Sequence, residues 1–160
     1  MLNQRIYGRG HSRAKMRGEA NTQIRILVVD DHEPFRRFVS SMLLRQANLQ
    51  VIEEVQDGVQ AVERAKALQP DMILLDIGLP RLNGIEAARQ ICRVASHSRI
   101  VFLTQESSPE VVEEALRLGA WGYVIKAQAG TDLLAAVEAV SHGARFVSSS
   151  LNGHGDTGTA

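Results

Sequence analysis

The stretch "RILVVDDHEPF", which runs from Arg25 to Phe35, indicates the fold most directly. Its four aliphatic residues from Ile26 to Val29 lead straight into two adjacent carboxylates, Asp30 and Asp31. A short continuous aliphatic run is typical of a strand that is buried on both faces of a parallel sheet. Paired like charges at the end of such a strand are costly unless a positive partner lies among them. The stretch therefore predicts a buried strand with a polar site at its carboxyl end.

The same alternation of short apolar runs and helical spacing continues along the chain. The runs predict five strands, at Ile26–Val29, Val51–Val55, Met72–Leu75, Ile100–Leu103 and Tyr123–Ile125. Apolar residues spaced three and four apart predict a helix after each strand, and in the first helix this stripe begins at Phe35 and Phe38. Alternating strands and helices require crossover connections, so we predict a doubly wound (βα)5 domain. The sheet should be parallel, with helices on both faces and the second strand at an edge. The order 2-1-3-4-5, in which the first and third strands flank the reversal, is taken as a hypothesis.

Length and charge limit the classes of function. The 160 residues predict a basic tail at 1–23, one domain at 24–147 and a flexible tail at 148–160. Residues 1–22 carry five basic residues and one acidic residue in a chain of zero formal net charge, so the remainder carries −4. That balance argues against nucleic-acid binding by the folded part. No apolar run resembles a membrane span or a secretory signal, so we expect a cytoplasmic protein.

The chain contains a single cysteine, Cys92. One cysteine excludes an internal disulfide and a zinc site built on several thiolates. Because Cys92 falls within the apolar pattern of the third predicted helix, we expect its thiol to be packed and reduced.

Polar side chains follow four of the predicted strands. Asp30 and Asp31 end the first strand, Asp76 the third, Thr104 the fourth and Lys126 the fifth. In doubly wound sheets, ligands bind outside the carboxyl ends of the strands where the strand order reverses, so these side chains should share one crevice. One lysine cannot balance three carboxylates, and an all-oxygen ligand set favours Mg²⁺, or Mn²⁺, over zinc. Such a site can receive a phosphoryl group on a carboxylate nucleophile.

Several motifs resemble the receiver domain of two-component response regulators over roughly residues 24–147. They are "ILVVDD", "MILLDIGLPRLNG", "IVFLT" and "GAWGYVIKA". The ending "GARFVSSSL" is similar to NarL/FixJ-type regulators at the point where their linker to a DNA-binding helix-turn-helix begins, and the 160 residues contain no such output domain. The resemblance implies a flavodoxin-like, CheY-like fold.

The resemblance also implies a role for each acidic residue of the site. Asp76 would be the phosphoacceptor, which receives its phosphoryl group from a sensor histidine kinase or a phosphotransfer protein. Asp31 would bind Mg²⁺ directly, and Asp30 would act mainly through a water molecule. Asp76 and the backbone carbonyl of Gly78 would complete the protein's ligands.

Three further residues would carry the response to phosphorylation. Lys126 would pair with Asp76 at rest and with the phosphoryl group afterwards. Thr104 would hydrogen-bond a phosphoryl oxygen, and Tyr123 would turn inward when Thr104 moves. Partners, or a second copy of the chain, would dock on the face formed by the fourth helix, the fifth strand and the fifth helix.

Some residues depart from the usual pattern of that family. Gln105 follows Thr104 where a small residue is usual, and Ala127 follows Lys126 where proline is frequent. Gly78 and Glu106 occupy positions that tune the survival of the acyl phosphate. We therefore expect a lifetime of the phosphorylated state that is not typical of receivers.

Alternative functions remain open at the level of sequence. The leading interpretation is a stand-alone phospho-accepting switch that does not turn over external substrates and loses its own phosphoryl group slowly. A second is a truncated NarL-type DNA-binding transcriptional regulator. A third is a Mg²⁺-dependent phosphohydrolase, although such enzymes usually place an aspartate two residues after the nucleophile, and His32 stands two residues after Asp30. A fourth is a pseudo-receiver that folds but is not phosphorylated.

Overall fold

Strands and helices alternate through residues 22–152, the part of the chain that the computed structural model describes. The strands are β1 (Ile24–Val29), β2 (Leu49–Val55), β3 (Met72–Leu75), β4 (Arg99–Thr104), β5 (Gly122–Ile125) and β6 (Phe146–Val147). The helices are α1 (Glu33–Leu44), α2 (Gly58–Leu68), α3 (Gly84–Val94), α4 (Pro109–Arg117), α5 (Ala129–Ser141) and α6 (Ser149–Asn152). A 3₁₀ turn, Lys126–Gln128, joins β5 to α5. Within these residues no helix is both long enough and apolar enough to cross a bilayer.

The strands form one parallel sheet in the order β2-β1-β3-β4-β5-β6. The predicted order 2-1-3-4-5 is confirmed, and β2 lies at an edge as predicted. The sixth strand was not predicted, because two residues are too few to form an apolar pattern. It pairs with β5, Phe146 with Gly122 and Val147 with Tyr123. The strand order reverses between β1 and β3, which places a crevice at their carboxyl ends.

The core lies in two layers, one on each face of the sheet. In β1 the side chains of Leu27 and Val29 enter the layer covered by α2, α3 and α4. Those of Ile26 and Val28 enter the layer covered by α1 and α5. All four are at most 2% exposed, because successive side chains of a strand point to opposite faces. The continuous aliphatic run therefore serves both layers, as the sequence predicts.

Side-chain caps and prolines set where the helices begin. Asp57 precedes α2, and its carboxylate accepts the Gln60 N–H at 2.8 Å. Asn83 precedes α3, and its side-chain oxygen accepts the Glu86 N–H at 3.0 Å. Proline stands in the first turn of both α1 and α4. Backbone N–H groups of a first turn have no intrahelical partner, so the lack of an N–H in proline costs no hydrogen bond there.

Two predicted apolar positions face solvent instead of the core. Cys92 is exposed, so the prediction of a packed thiol is wrong. It follows Ile91, which is fully buried, and consecutive helical residues point about 100° apart. Phe38 is 44% exposed because the buried face of α1 is formed by Arg36, Val39, Ser40 and Leu43.

Regular structure continues beyond the predicted domain boundary at residue 147. Ser148 is fully buried, and its N–H donates to the Tyr123 carbonyl at 2.9 Å. Its hydroxyl accepts a hydrogen bond from the Ile125 N–H at 3.1 Å and donates one to Asp132 Oδ2 at 2.8 Å. Leu151 packs against the same layer as Tyr123. Residues 1–21 and 153–160 of the predicted tails lie outside the described part of the chain.

Ser148→Ala is expected to lower the free energy of unfolding by about 1–3 kcal/mol, since it leaves the Ile125 N–H and the Asp132 carboxylate without their hydroxyl partner. Chemical denaturation would measure the loss. Ser149→Ala is the matched control, because Ser149 is exposed and its change should leave stability nearly unchanged. Equal stability of the two variants would contradict a structural role for the Ser148 hydroxyl.

Candidate functional site

The five predicted polar side chains meet at the carboxyl ends of β1, β3, β4 and β5. Asp31, Asp76, Thr104 and Lys126 line an open cavity of about 1000 Å³. Asp30 is 3% exposed and contacts Lys126 at the same place. Each of these residues immediately follows, ends or begins an element at that edge of the sheet. The parallel topology therefore brings them together across almost a hundred residues of sequence.

Three carboxylates form a compact cluster in this crevice. One oxygen from each of Asp30, Asp31 and Asp76 lies within 4.8 Å of the others. Asp30 and Asp76 are buried, whereas Asp31 is exposed. An all-oxygen cluster with one solvent-facing member fits a hard divalent cation that keeps some of its water.

Lys126 lies between two of the carboxylates. Its Nζ is 2.8 Å from Asp30 Oδ2 and 2.9 Å from Asp76 Oδ2. Burial alone would lower the pKa of Lys126, but its hydrogen bonds to both carboxylates outweigh that effect and hold the pKa above its usual value. Burial also raises the pKa of Asp30, and hydrogen bonds from Lys126 and the His32 N–H offset this only in part. One ammonium thus faces three carboxylates, which leaves the site attractive to a further cation.

Asp76 is oriented through both of its oxygens. Oδ1 accepts the Ile77 N–H at 2.7 Å and, at a longer 3.4 Å, the Gly78 N–H. Oδ2 accepts from Lys126 at 2.9 Å. Gly78 is exposed and lines the cavity beside this carboxylate. The turn after β3 therefore holds Asp76 in place and leaves the backbone of Gly78 at the cavity wall.

Thr104 and Tyr123 are joined through the loop that follows β4. The Thr104 hydroxyl oxygen accepts the Glu106 N–H at 3.2 Å, and the Tyr123 hydroxyl donates to the Glu106 carbonyl at 2.7 Å. Tyr123 is fully buried, and burial, followed by the nearby carboxylates of Glu106 and Asp76, raises its pKa well above the usual value. The ring already has the inward position that the family resemblance assigns to the phosphorylated state, while Thr104 is still bonded to the loop.

The residues that depart from the family pattern lie at the cavity wall. Gln105, Glu106 and Ala127 all line it. Gln105 is exposed as well as lining the cavity. The peptide bonds from residue 22 to residue 152, including the one before Ala127, are trans. The expected unusual lifetime of an acyl phosphate stays a prediction.

Two residues of the site were not identified from the sequence. Phe35 was assigned to the apolar stripe of α1, but its ring centroid lies 4.7 Å from Lys126 Nζ. Arg36 is buried, donates to the Asp30 carbonyl at 2.7 Å and pairs with Glu54 at 3.4 Å. The signal for Arg36 was an arginine three and seven residues before the apolar positions Val39 and Leu43, on the same helix face. The signal for Phe35 was an aromatic residue four positions after Asp31 in the sequence.

Comparison with known proteins connects this geometry to one family. The family described as "Response regulator receiver domain" matches residues 26–138. The chain is 35% identical over 130 residues to the transcriptional regulatory protein LiaR of Bacillus subtilis, covering 81% of this chain and 62% of LiaR. It is 34% identical over 126 residues to the nitrate/nitrite response regulator protein NarL of Escherichia coli, covering 79% of this chain and 58% of NarL. The chain thus spans about three-fifths of the length of these curated relatives.

Solved structures give the same result. The signal receiver domain of the putative response regulator NarL from Mycobacterium tuberculosis superposes with a TM-score of 0.70 at 32% identity, covering 76% of this chain and 98% of that one. A LuxR-family two-component response regulator from Aurantimonas has a TM-score of 0.78 at 30% identity, covering 82% of this chain and 94% of that one. The resemblance and the CheY-like fold class predicted from the sequence are confirmed.

Proposed function

Because the chain belongs to the receiver domains of two-component response regulators, we propose that Asp76 accepts a phosphoryl group and that this event controls a protein contact. The protein would act in the cytoplasm, and the donor would be a sensor histidine kinase or a phosphotransfer protein. One observation carries the proposal. Asp76 is a buried carboxylate that shares the Lys126 ammonium with Asp30, and its oxygen lies within 4.8 Å of oxygens of both Asp30 and Asp31.

The carboxylate cluster would hold the divalent cation. Asp30, Asp31 and Asp76 would bind Mg²⁺, or Mn²⁺, together with the backbone carbonyl of Gly78. The donor set supports this assignment because it consists of oxygens and carries more negative charge than Lys126 neutralises. When bound, the ion would neutralise charge on the phosphoryl oxygens during transfer.

The protein's own groups would position and stabilise the phosphoryl group. An Asp76 oxygen would attack phosphorus, and Lys126 Nζ, now 2.9 Å from Asp76 Oδ2, would donate to a phosphoryl oxygen. The Thr104 hydroxyl oxygen now accepts from the Glu106 N–H, and on turning toward Asp76 the hydroxyl would donate its hydrogen to a phosphoryl oxygen. Three groups from three different strands would thus converge on one tetrahedral group.

The output would follow from the loop between β4 and α4. If Thr104 turns toward a phosphoryl group, the contact with the Glu106 N–H is lost, and Tyr123 is bonded to the same residue. That change would bias the position of α4 relative to β5 and α5, where a partner or a second copy of the chain would dock. The face is open enough for this purpose, because Val111 and Val112 of α4 are only half-buried.

Incubation with acetyl phosphate and Mg²⁺ tests the proposal by intact mass. We expect the wild-type chain to gain one phosphoryl group and Asp76→Asn to gain none, since the amide is not a nucleophile of this kind. EDTA should also prevent the gain. Glu63→Gln, which removes one exposed negative charge on α2, is the control and should behave as wild type. Labelling that survives in Asp76→Asn would place the acceptor elsewhere.

A second candidate function rests on the length of the curated relatives. LiaR is named as a transcriptional regulatory protein, and this chain covers 62% of it. The receiver would then act on a DNA-binding partner domain. Strong, salt-sensitive binding of duplex DNA by these 160 residues would favour that function.

A further inference from the structure

The Lys126 ammonium contacts an aromatic ring as well as two carboxylates. Its Nζ lies 4.7 Å from the centroid of the Phe35 ring, within the range of a cation–π interaction. The Lys126 side chain is only 11% exposed, so the ring and the carboxylates replace much of the water around the charge. A partly desolvated ammonium is attracted more strongly to the negative face of a ring than an exposed one.

The position of the Phe35 ring is fixed by its neighbours. Phe38 packs against it with ring centroids 5.9 Å apart and planes inclined at 41°. The next residue, Arg36, ties the start of α1 to β1 through its 2.7 Å hydrogen bond to the Asp30 carbonyl. Phe35 and Phe38 both line the cavity that contains Asp76. The ring therefore stands at the cavity wall beside the ammonium.

A packing role alone does not account for this placement. Phe35 is half-buried and packs against the core layer covered by α1 and α5, but the fully buried side chains that α1 adds to that layer are those of Val39 and Leu43, and Phe38 is exposed. A leucine at position 35 would cover the same apolar wall without offering a negative ring face to Lys126. The aromatic character of Phe35 is therefore the property that the geometry uses.

We propose that Phe35 is a positioning residue for Lys126 in phosphoryl transfer to Asp76, an inference that rests on the proposed function. In transfer from acetyl phosphate, an Asp76 oxygen forms a bond to phosphorus while the bond from phosphorus to the acetate oxygen breaks. Acetate leaves with the electron pair. Lys126 must then exchange a carboxylate oxygen of Asp76 for a phosphoryl oxygen. The ring attracts the ammonium across its whole face, so it can hold Lys126 at the cavity during this exchange.

Graded fluorination of Phe35 tests the inference. Fluorine atoms withdraw negative potential from the ring face and change its shape little. The full chain would carry 4-fluoro-, 3,5-difluoro- or 3,4,5-trifluorophenylalanine at position 35. At saturating Mg²⁺ we expect the rate of phosphorylation by acetyl phosphate to fall with each added fluorine. Phe35→Leu should lower the rate roughly two- to tenfold, and Phe35→Tyr should restore it. The same fluorinated residues at Phe146, in the edge strand β6, are the control and should show no trend.

A spectroscopic readout accompanies the rates. The side-chain protons of Lys126 should experience a ring-current shift in the wild-type chain that disappears in Phe35→Leu. A rate that stays constant across the fluorinated series, with a normally phosphorylated wild type, would overturn the inference alone. A wild-type chain that gains no phosphoryl group would overturn the proposed function and this inference with it.

Discussion

Lys126→Met is expected to slow phosphorylation of Asp76 by about two to three orders of magnitude, the usual effect of removing one group that stabilises transition-state charge. In the same variant the affinity for Mg²⁺ should rise. Lys126 Nζ lies 2.8 Å from Asp30 Oδ2 and 2.9 Å from Asp76 Oδ2. Without Lys126, no positive charge competes with a divalent cation for the carboxylates. We expect the free energy of Mg²⁺ binding to become more favourable by about 1–3 kcal/mol, for an effective dielectric constant between that of water and that of a protein surface.

The opposite signs of these two effects make the experiment decisive. Intact mass as a function of time gives the rate of phosphorylation, and calorimetry gives the Mg²⁺ affinity. Lys66→Met removes the same charge from the exposed side of α2 and should leave both quantities unchanged. A variant of Lys126 that binds Mg²⁺ more weakly would show that the lysine organises the cluster rather than competing with the ion.

Gly84→Ala is expected to lower the free energy of unfolding by at least about 3 kcal/mol, at the upper end of the cost of overpacking. A Cβ atom at this position would lie 1.9 Å from the Asp76 carbonyl oxygen and 2.7 Å from the Ile77 Cα. Both are backbone atoms, so neither can move aside as a flexible side chain would. The Gly84 N–H also donates to the Ile77 carbonyl at 2.8 Å, which holds α3 against the turn after Asp76.

Thermal and chemical denaturation would measure this loss. Gly130→Ala is the matched control, because Gly130 lies in α5 and a Cβ atom there would meet nothing within 4 Å. Its stability should be unchanged or slightly raised, since alanine favours a helix over glycine by up to about 1 kcal/mol. Equal melting temperatures for the two alanine variants would contradict the close approach of α3 to the Asp76 turn. Any folded Gly84→Ala protein should also be phosphorylated more slowly, because the turn carrying Asp76 must shift.

Much of the site follows from local patterns along the chain. The aliphatic run before Asp30 predicts a strand buried on both sides, and Ile26 to Val29 are at most 2% exposed. Polar residues directly after such strands must meet at one edge of a parallel sheet, since all its strands end there. Asp76 and Lys126 are 50 residues apart in sequence and form a 2.9 Å hydrogen bond.

The differences between prediction and structure arise where a residue's partner belongs to another element. Cys92 and Phe38 match helical spacing, but the faces of α3 and α1 that pack on the sheet are formed by other residues, so both side chains lie in solvent. Strand β6 has two residues, too few for a pattern of its own, and exists because it pairs with the edge of β5. Ser148 belongs to a polar stretch, yet it is buried because its hydroxyl joins β5 to Asp132 of α5.

The amino-acid sequence by itself determined the alternation of strands and helices, the two-layer core and the set of polar residues at the crevice, because hydrophobic period and position at a strand end are local properties. Only the tertiary structure decided the inward position of Tyr123, the contact of Phe35 with Lys126 and the close approach of Gly84 to Asp76. Each of these depends on the distance between residues that belong to different elements. That distance is set by the packing of whole side-chain layers, which no local pattern records.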